Sequence, residues 1–447
     1  MPDADPPSFA ALPALAAATD PIELLPELRR VAGSPVPQNL SLVGATQLSA
    51  ELWIGVFCDT KGQLLAAPCR KAGEALTRAV PGDGAAAALT RLLVDVKDAV
   101  NTGFSITTFA LVDVEVPVAG AAERAMDVDQ THESVIVGDA AVVKWAVSAE
   151  PTPAPKLVAH LSAAGFTEMP QPWGFVTWVE GEQQVLVASV MGYLPGAGDG
   201  WTWAVLDAGD FAARGGDLDT STAAFDDVGT VVADLHVAFA TPTEVMVSPE
   251  QRAEVGEAEQ WRDLAHSLLD QAVASVDGVE GDRLAALREP IGAVLDGLKS
   301  VAGTTTIPVH GDLHIGQLLR WEGGYAVADF DGNPVLSVAE RLVPQPAARD
   351  VAGMLQSIDH VGRVVLRRVE GAEASRVRVW IAEAQARFLD AYRRRLSERG
   401  CSDLLDDRLL RPFQVEQECR EFLYAVRHLP RWRYVPDQAL QALFPQV

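Results

Sequence analysis

Residues 309–334 read VHGDLHIGQLLRWEGGYAVADFDGNP, two acidic turns punctuated by glycine and separated by short apolar runs. That pattern puts Asp312, Gln317 and Asp329 on loops flanking short strands. Transfer of a phosphoryl group to an alcohol needs a carboxylate within hydrogen-bond reach of the nucleophile, and oxygen ligands that hold magnesium against the moving phosphates. One short segment can supply both. Asp312 would orient the acceptor hydroxyl and take its proton, while Asp329 and the amide oxygen of Gln317 would ligate Mg2+. The same residues also allow a plainer arrangement, with His310 and Asp312 as a satisfied buried pair beside a turn.

Upstream, residues 134–137 and 140–147 form two apolar runs joined by Gly138 and Asp139, the signature of a hairpin. Lys144 lies in the second strand, where an ammonium on a rigid element can anchor nucleotide phosphates; a solvated outward lysine is the other reading. After the break EPTPAP, KLVAHLSAAGF reads as a helix ending near Gly165, and QPWGFVTWV and QQVLVASVMGYL as two more strands. Beyond the glycine-rich PGAGDGW the pattern turns helical, in VGTVVADLHVAFA, in residues 254–301 and again in 372–397.

Before residue 125 the chain has a hairpin pattern (LWIGVFCD, a Lys-Gly turn, QLLAAPCR), a helical stretch (AAAALTRLLVDVKDAV) and a strand-like one (FSITTFALVDVEVPV). The expectation is an α+β chain in three parts: an N-terminal cap over 1–125, an intermediate nucleotide-binding subdomain with a small antiparallel sheet over 126–195, and a mostly helical C-lobe over 196–447. A length of 447 residues agrees with more than one core.

The formal net charge of -25 argues against a nucleic-acid or anionic-membrane partner, since both require a positive surface. A nucleotide remains possible, because a local lysine and a metal ion hold phosphates inside an acidic protein. The start, MPDADPPSFAALPALAAA, lacks a basic signal-peptide region, and no stretch offers about 18 uninterrupted apolar residues. A cytoplasmic monomer or simple homodimer is expected. Cys58, Cys69, Cys401 and Cys419 form no CxxC pair or Cys/His cluster and read as reduced thiols.

The two-part motif HGDLHxGQ then DFxGxP, with a strand lysine ahead of it, resembles the catalytic and metal loops of protein-kinase-like enzymes. It is similar to the actinobacterial maltokinases and glucosamine kinases, relatives of the aminoglycoside phosphotransferases. The resemblance implies a bilobal protein-kinase-like fold, ATP as donor with Mg2+, and phosphate pairing by Lys144. It makes ASVMGYLPGAGDGW the hinge that receives adenine, with Met191 and Tyr193 as contacts. DQTHESVIVGD takes the place of the glycine-rich phosphate loop, with His132 and Ser134 as donors or as a polar turn. The following helix, PAPKLVAHL, lacks the glutamate that usually pairs with the lysine; Glu150 or the phosphates alone would hold Lys144.

The acceptor site falls in QVEQECREFLYAVRHLPRW, residues 414–432, because a hydroxyl-rich ligand takes carboxylates or amides with an aromatic face. Helical spacing puts Glu418 and Glu421 on one face, Trp432 can supply a sugar platform, and His310 joins Asp312 among the sugar contacts. Paired carboxylates favour a cationic acceptor. With Gln417 in place of the lysine of maltokinase-like sequences and DFDGNP in place of DFEGEP, the resemblance leans to the glucosamine kinases and to transfer onto the 6-hydroxyl of glucosamine. The alternatives are a maltokinase or other neutral-sugar kinase, a nucleotide-binding pseudokinase, and, for the glutamates, a solvated helix face. In ARDVAGMLQSID, Arg349 and Asp350 are expected to stabilise the lobe.

Overall fold

The computed structural model describes residues 40–445 apart from segments at 73–74, 96–98, 102, 112–119, 127–132, 181–182 and 334–335. The chain divides into two units, Met1–Thr152 with Pro170–Pro195, and Pro153–Met169 with Gly196–Val447.

In the first unit, β1 (Ser41–Gln47), β2 (Leu52–Cys58), β3 (Leu64–Ala72) and β4 (Ala75–Arg78) form an antiparallel meander. Alternation along β2 sends Ile54 and Val56 into one core and Trp53 and Phe57 into another, as a period of two requires. The helix α1 (Ala85–Asp95) buries Ala85–Leu89 and Leu93. Its N-terminus is held by Glu123, whose carboxylate accepts the N–H groups of Gly82, Gly84 and Ala87 at 2.7, 3.0 and 2.9 Å. The expected helix over residues 85–100 is therefore shorter than its pattern, and Ala99–Asn101 is a strand.

A seven-stranded sheet follows, from β5 (Ala99–Asn101), β6 (Phe104–Thr108), β7 (Glu123–Ala125), β8 (Glu133–Val137), β9 (Ala141–Trp145), β10 (Pro172–Glu180) and β11 (Gln183–Gly192), in the order β5-β6-β10-β11-β9-β8-β7. Strands from both sides of residue 125 share this sheet, and one core runs from Ile54 to Val190. The strands β5, β6 and β7 thus do not stand apart from β8–β11. The hairpin turns at Gly138, φ 56°, where the sequence places it.

The second unit begins with α2 (Ala154–Ala163), which the sequence reading grouped with the sheet. Its His160 instead meets the Thr243 hydroxyl at 2.8 Å and the Phe239 carbonyl at 3.1 Å, both in the helical unit. Then come β12 (Gly198–Asp199), α3 (Gly200–Arg214), α4 (Leu218–Thr222), α5 (Ala224–Ala240), β13 (Gln251–Arg252), α6 (Val255–Ser275), α7 (Gly278–Leu295), β14 (Thr305–Thr306), β15 (Leu318–Trp321), β16 (Gly324–Val327), α8 (Val338–Arg341), α9 (Ala348–Arg368), α10 (Ala374–Glu398), α11 (Leu410–His428) and α12 (Tyr434–Leu443). Gly229 lets α5 touch α10: a Cβ there would lie 2.4 Å from the Phe388 carbonyl oxygen. Three helices meet at His236, whose ring contacts the Tyr392 hydroxyl at 2.7 Å and Asp350 at 3.2 Å. No helix among the described residues is long and apolar enough to cross a membrane.

Candidate active site

The loop bearing Asp312 is shaped from below by α9. Asp350, buried on that helix, accepts the backbone N–H groups of His310 and Gly311 at 2.8 and 2.9 Å. Two turns further along, the Ser357 hydroxyl accepts the Ile315 N–H at 2.9 Å. Gly353 between them permits the approach, since a Cβ there would lie 2.8 Å from the Leu313 carbonyl oxygen. Gly311 sits at φ 80°, and its would-be Cβ meets the Cα of Gly332 at 3.7 Å. The two acidic loops accordingly pack backbone to backbone.

His310 ties those loops together. Its Nε2–H donates to the Ala328 carbonyl at 3.0 Å, and its Nδ1 accepts the Asp312 N–H at 3.3 Å. The residue is 1 % exposed. His310 is therefore not a sugar contact as expected from the sequence; both nitrogens are committed to backbone and the side chain positions Asp312 against the next loop.

Asp329 is the non-glycine residue with positive φ, 66°, among those described. A carboxylate residue held in the left-handed region stores strain of a kind that gathers at functional loops. The Ala328 N–H donates to the Gln317 carbonyl at 2.9 Å, which sets Gln317 and Asp329 on neighbouring backbone. Arg341 braces the same loop by donating to the Asp331 carbonyl at 3.2 Å. An amide oxygen and a carboxylate are hard donors, and no group of three His, Cys, Asp or Glu among the described residues could enclose a metal. That donor set fits a small cation completed by phosphate and water oxygens.

Around Asp312 the field is negative. Desolvation raises its carboxyl to about 7; His310 opposes this, while Asp329, Glu421 and Asp350 add to it. His314, desolvated in the same place and next to His310, is lowered to about 4 and is a neutral imidazole. Its Nδ1 accepts the Gly316 N–H at 3.1 Å.

The helix α11 supplies Glu421, half-buried, to this field. Its two oxygens accept from the Gln417 amide at 3.2 Å and from the indole N–H of Trp432 at 3.1 Å. Glu418 behaves differently. It is 0 % exposed, takes the His360 Nε2–H at 2.9 Å, and accepts a hydrogen bond from Gln356. Glu418 is thus turned away from the position of Glu421: three residues advance a helix by about 300°, which faces this acid inward against α9, with Oε1 taken by His360 and Gln356 and Oε2 buried without a partner among the described residues, while Glu421 stays half-buried. The sequence reading missed His360, whose ring stands edge-on to Trp432 at 6.2 Å, and Trp201, whose ring lies 5.7 Å from Trp432. A histidine four residues after Gln356 on an apolar helix face is the one signal the sequence offered.

In the sheet unit, Ser134 and Ser189 lie directly across from Lys144 on the strands to either side. Cross-strand partners share a face, so these three polar residues stand together with Ile136, Val142 and Met191 beside them. Ser134 is buried and Lys144 half-buried. Glu150 accepts the Ser148 hydroxyl at 3.0 Å. The hinge needs a correction at Tyr193. Its N–H donates to the Ala140 carbonyl at 2.8 Å, and that of Gly192 to the Gln171 carbonyl at 2.6 Å, so neither backbone donor is left for adenine. The Tyr193 ring lies under the Arg124 guanidinium at 5.1 Å. His132 lies outside the described residues.

No family model matches the chain. A glucosamine kinase of Streptacidiphilus jiangxiensis is 45% identical over 438 residues, 97% of this chain and 98% of the relative. A second, from Mycolicibacterium smegmatis, is 43% identical over 83% of this chain and 90% of its own length. The chain belongs to the glucosamine kinase family. A solved glucosamine kinase structure, crystal form B, superposes with a TM-score of 0.83 at 43% identity and covers 98% of this chain and 100% of its own. Another, holding glucosamine, ADP and inorganic phosphate, gives 0.80 at 42% identity, with 98% and 100% covered. The glucosamine kinase fold therefore extends over both units, and the α+β expectation drawn from the motifs is borne out.

Proposed function

We propose that this protein transfers the γ-phosphate of ATP to the 6-hydroxyl of glucosamine. The observation that carries the reading is the pair of acidic loops in a chain 45% identical to a glucosamine kinase: Asp350 and His310 shape the loop bearing Asp312, and the Ala328 N–H on the Gln317 carbonyl sets Gln317 and Asp329 on neighbouring backbone. Asp312 orients the acceptor hydroxyl and takes its proton as the new P–O bond forms and the bond to the ADP oxygen breaks. Glu421 offers the rim carboxylate for the ammonium group, and Trp432 offers an indole face to the sugar C–H groups. Lys144, with Ser134 beside it, receives nucleotide phosphates, and Met191 lends side-chain surface to the base. Gln317 and Asp329 would hold Mg2+, which supplies charge neutralisation on the phosphates. ATP as donor fits a cytoplasmic setting.

The test is coupled ADP release with ATP and Mg2+ against glucosamine, glucose, maltose and N-acetylglucosamine, with the product mapped by phosphorus–proton NMR. Glucosamine-selective turnover with phosphate on the 6-oxygen is expected. Maltose-selective turnover, or phosphate on the anomeric oxygen, would overturn the acceptor assignment, and silence toward every sugar would overturn the kinase reading.

A further inference from the structure

Trp201 stands in the first turn of α3, directly after Gly200. Gly200 is pressed so closely on the catalytic loop that a Cβ would lie 1.7 Å from the Ile315 carbonyl oxygen. Asp199 caps the same helix start, accepting the Thr202 N–H at 2.9 Å and its hydroxyl at 2.7 Å. The backbone of Trp201 is thereby fixed relative to the loop that carries Asp312 and Gln317. Its indole meets Trp432 with centroids 5.7 Å apart and planes inclined at 52°. Both rings are half-buried, so each keeps surface that no protein atom covers.

Rings in contact at that inclination form a corner rather than a slot. A pyranose cannot enter between them, but one lying on the Trp432 face, near Glu421, meets Trp201 as a side wall. Gly200 and the Asp199 cap deny the wall the backbone movement by which it could retreat.

We infer that Trp201 is a specificity-determining residue that closes the acceptor site beside Trp432, admitting one sugar ring and excluding a second. The inference rests on the proposed acceptor being a single amino sugar. Trp201→Ala and Trp201→Phe separate it from that reading when kcat and KM are measured for glucosamine, maltose and ATP.

The Ala variant should raise the KM for glucosamine about tenfold and raise the maltose-to-glucosamine ratio of kcat/KM about as much, with the KM for ATP unchanged. The Phe variant, which keeps a ring, should recover most of both. An unchanged ratio in the Ala variant overturns the inference, even where KM rises, because a mere packing role would weaken both sugars alike. Should the Ala variant lose its fold, as melting and ADP binding would show, Trp201→Leu is read on the same scale. Wild-type protein inert toward glucosamine sinks the proposed function itself; active wild type with an unaffected ratio in the variants sinks only the wall.

Discussion

Asp350 holds His310 by its backbone, Oδ2 accepting the His310 N–H at 2.8 Å while Oδ1 takes that of Gly311 at 2.9 Å. A buried charge on α9 thus sets the shape of the loop that presents Asp312. Burial pushes the Asp350 carboxyl up, but the hydrogen bond and charge of His236, with His310 and Gly311, outweigh it and leave the group below its ordinary value of 3.8. A depressed folded-state pKa means that this stabilisation is fully present above 3.8 and is lost as pH falls through the folded value. Asp350→Asn would set an amide NH2 against one of the two backbone donors. The expected cost is about 3–5 kcal/mol, measured by urea unfolding at neutral pH, and a loss under about 1 kcal/mol would contradict the anchoring role.

A general base must be ionised to accept a proton, and the Asp312 carboxyl is raised to about 7. The kcat/KM for the acceptor should therefore climb as pH rises through about 7 and level off above it. Asp312→Asn should lower turnover by about 10²–10⁴-fold while ADP affinity, measured by calorimetry, stays close to wild type. A flat pH profile across neutrality, or an active Asn variant, would remove Asp312 from the base role.

Glu418 and Glu421 read alike in the sequence and should respond differently to mutation. Burial lowers His360, but the charge and hydrogen bond of Glu418, then Glu421 and Asp359, raise it to about 9, so the imidazolium pairs with Glu418. With a folded value above the unfolded 6.5, the stabilisation is fully present below 6.5 and is lost as pH rises through about 9. Glu418→Gln should cost about 3–5 kcal/mol at neutral pH and flatten that alkaline loss. Glu421→Gln should change stability by less than about 1 kcal/mol and instead narrow the preference for glucosamine over glucose. Equal melting losses in the two variants would show that the inward and rim positions do not differ.

What the sequence made legible was local. The hairpin over residues 134–145 could be read because strand alternation and Gly138 act within a few residues, and the register facing Ser134 to Lys144 follows from the turn. The placement of Asp312, Gln317 and Asp329 on turns flanking short strands could be read for the same reason, with their glycines in one stretch. Partnerships made across the chain could not. The pairing of β6 with β10 joins the N-terminal strands to the larger sheet by hydrogen bonds that alternation alone does not assign. The Tyr193 N–H looks available until Ala140 is seen opposite it. His360 and Trp201 have meaning only through Glu418 and Trp432, which distant elements bring to them.

The loop PGAGDGW contains a paired control for how tightly the loop bearing Asp312 and Gln317 is seated. At Gly200 a Cβ would lie 1.7 Å from the Ile315 carbonyl oxygen and 2.9 Å from that of Leu318, both backbone atoms that no rotamer change can move. At Gly198, two residues earlier, a Cβ meets nothing within 4 Å. Gly200→Ala must therefore displace either the start of α3 or the turn carrying Gln317, and should cost upwards of about 3 kcal/mol with a matching fall in turnover. Gly198→Ala should stay within about 0.5 kcal/mol of wild type and keep full activity. Thermal melts and ADP release on the two variants decide the matter: if Gly200→Ala folds and turns over like Gly198→Ala, the contact between α3 and the loop bearing Asp312 and Gln317 is not what fixes that loop.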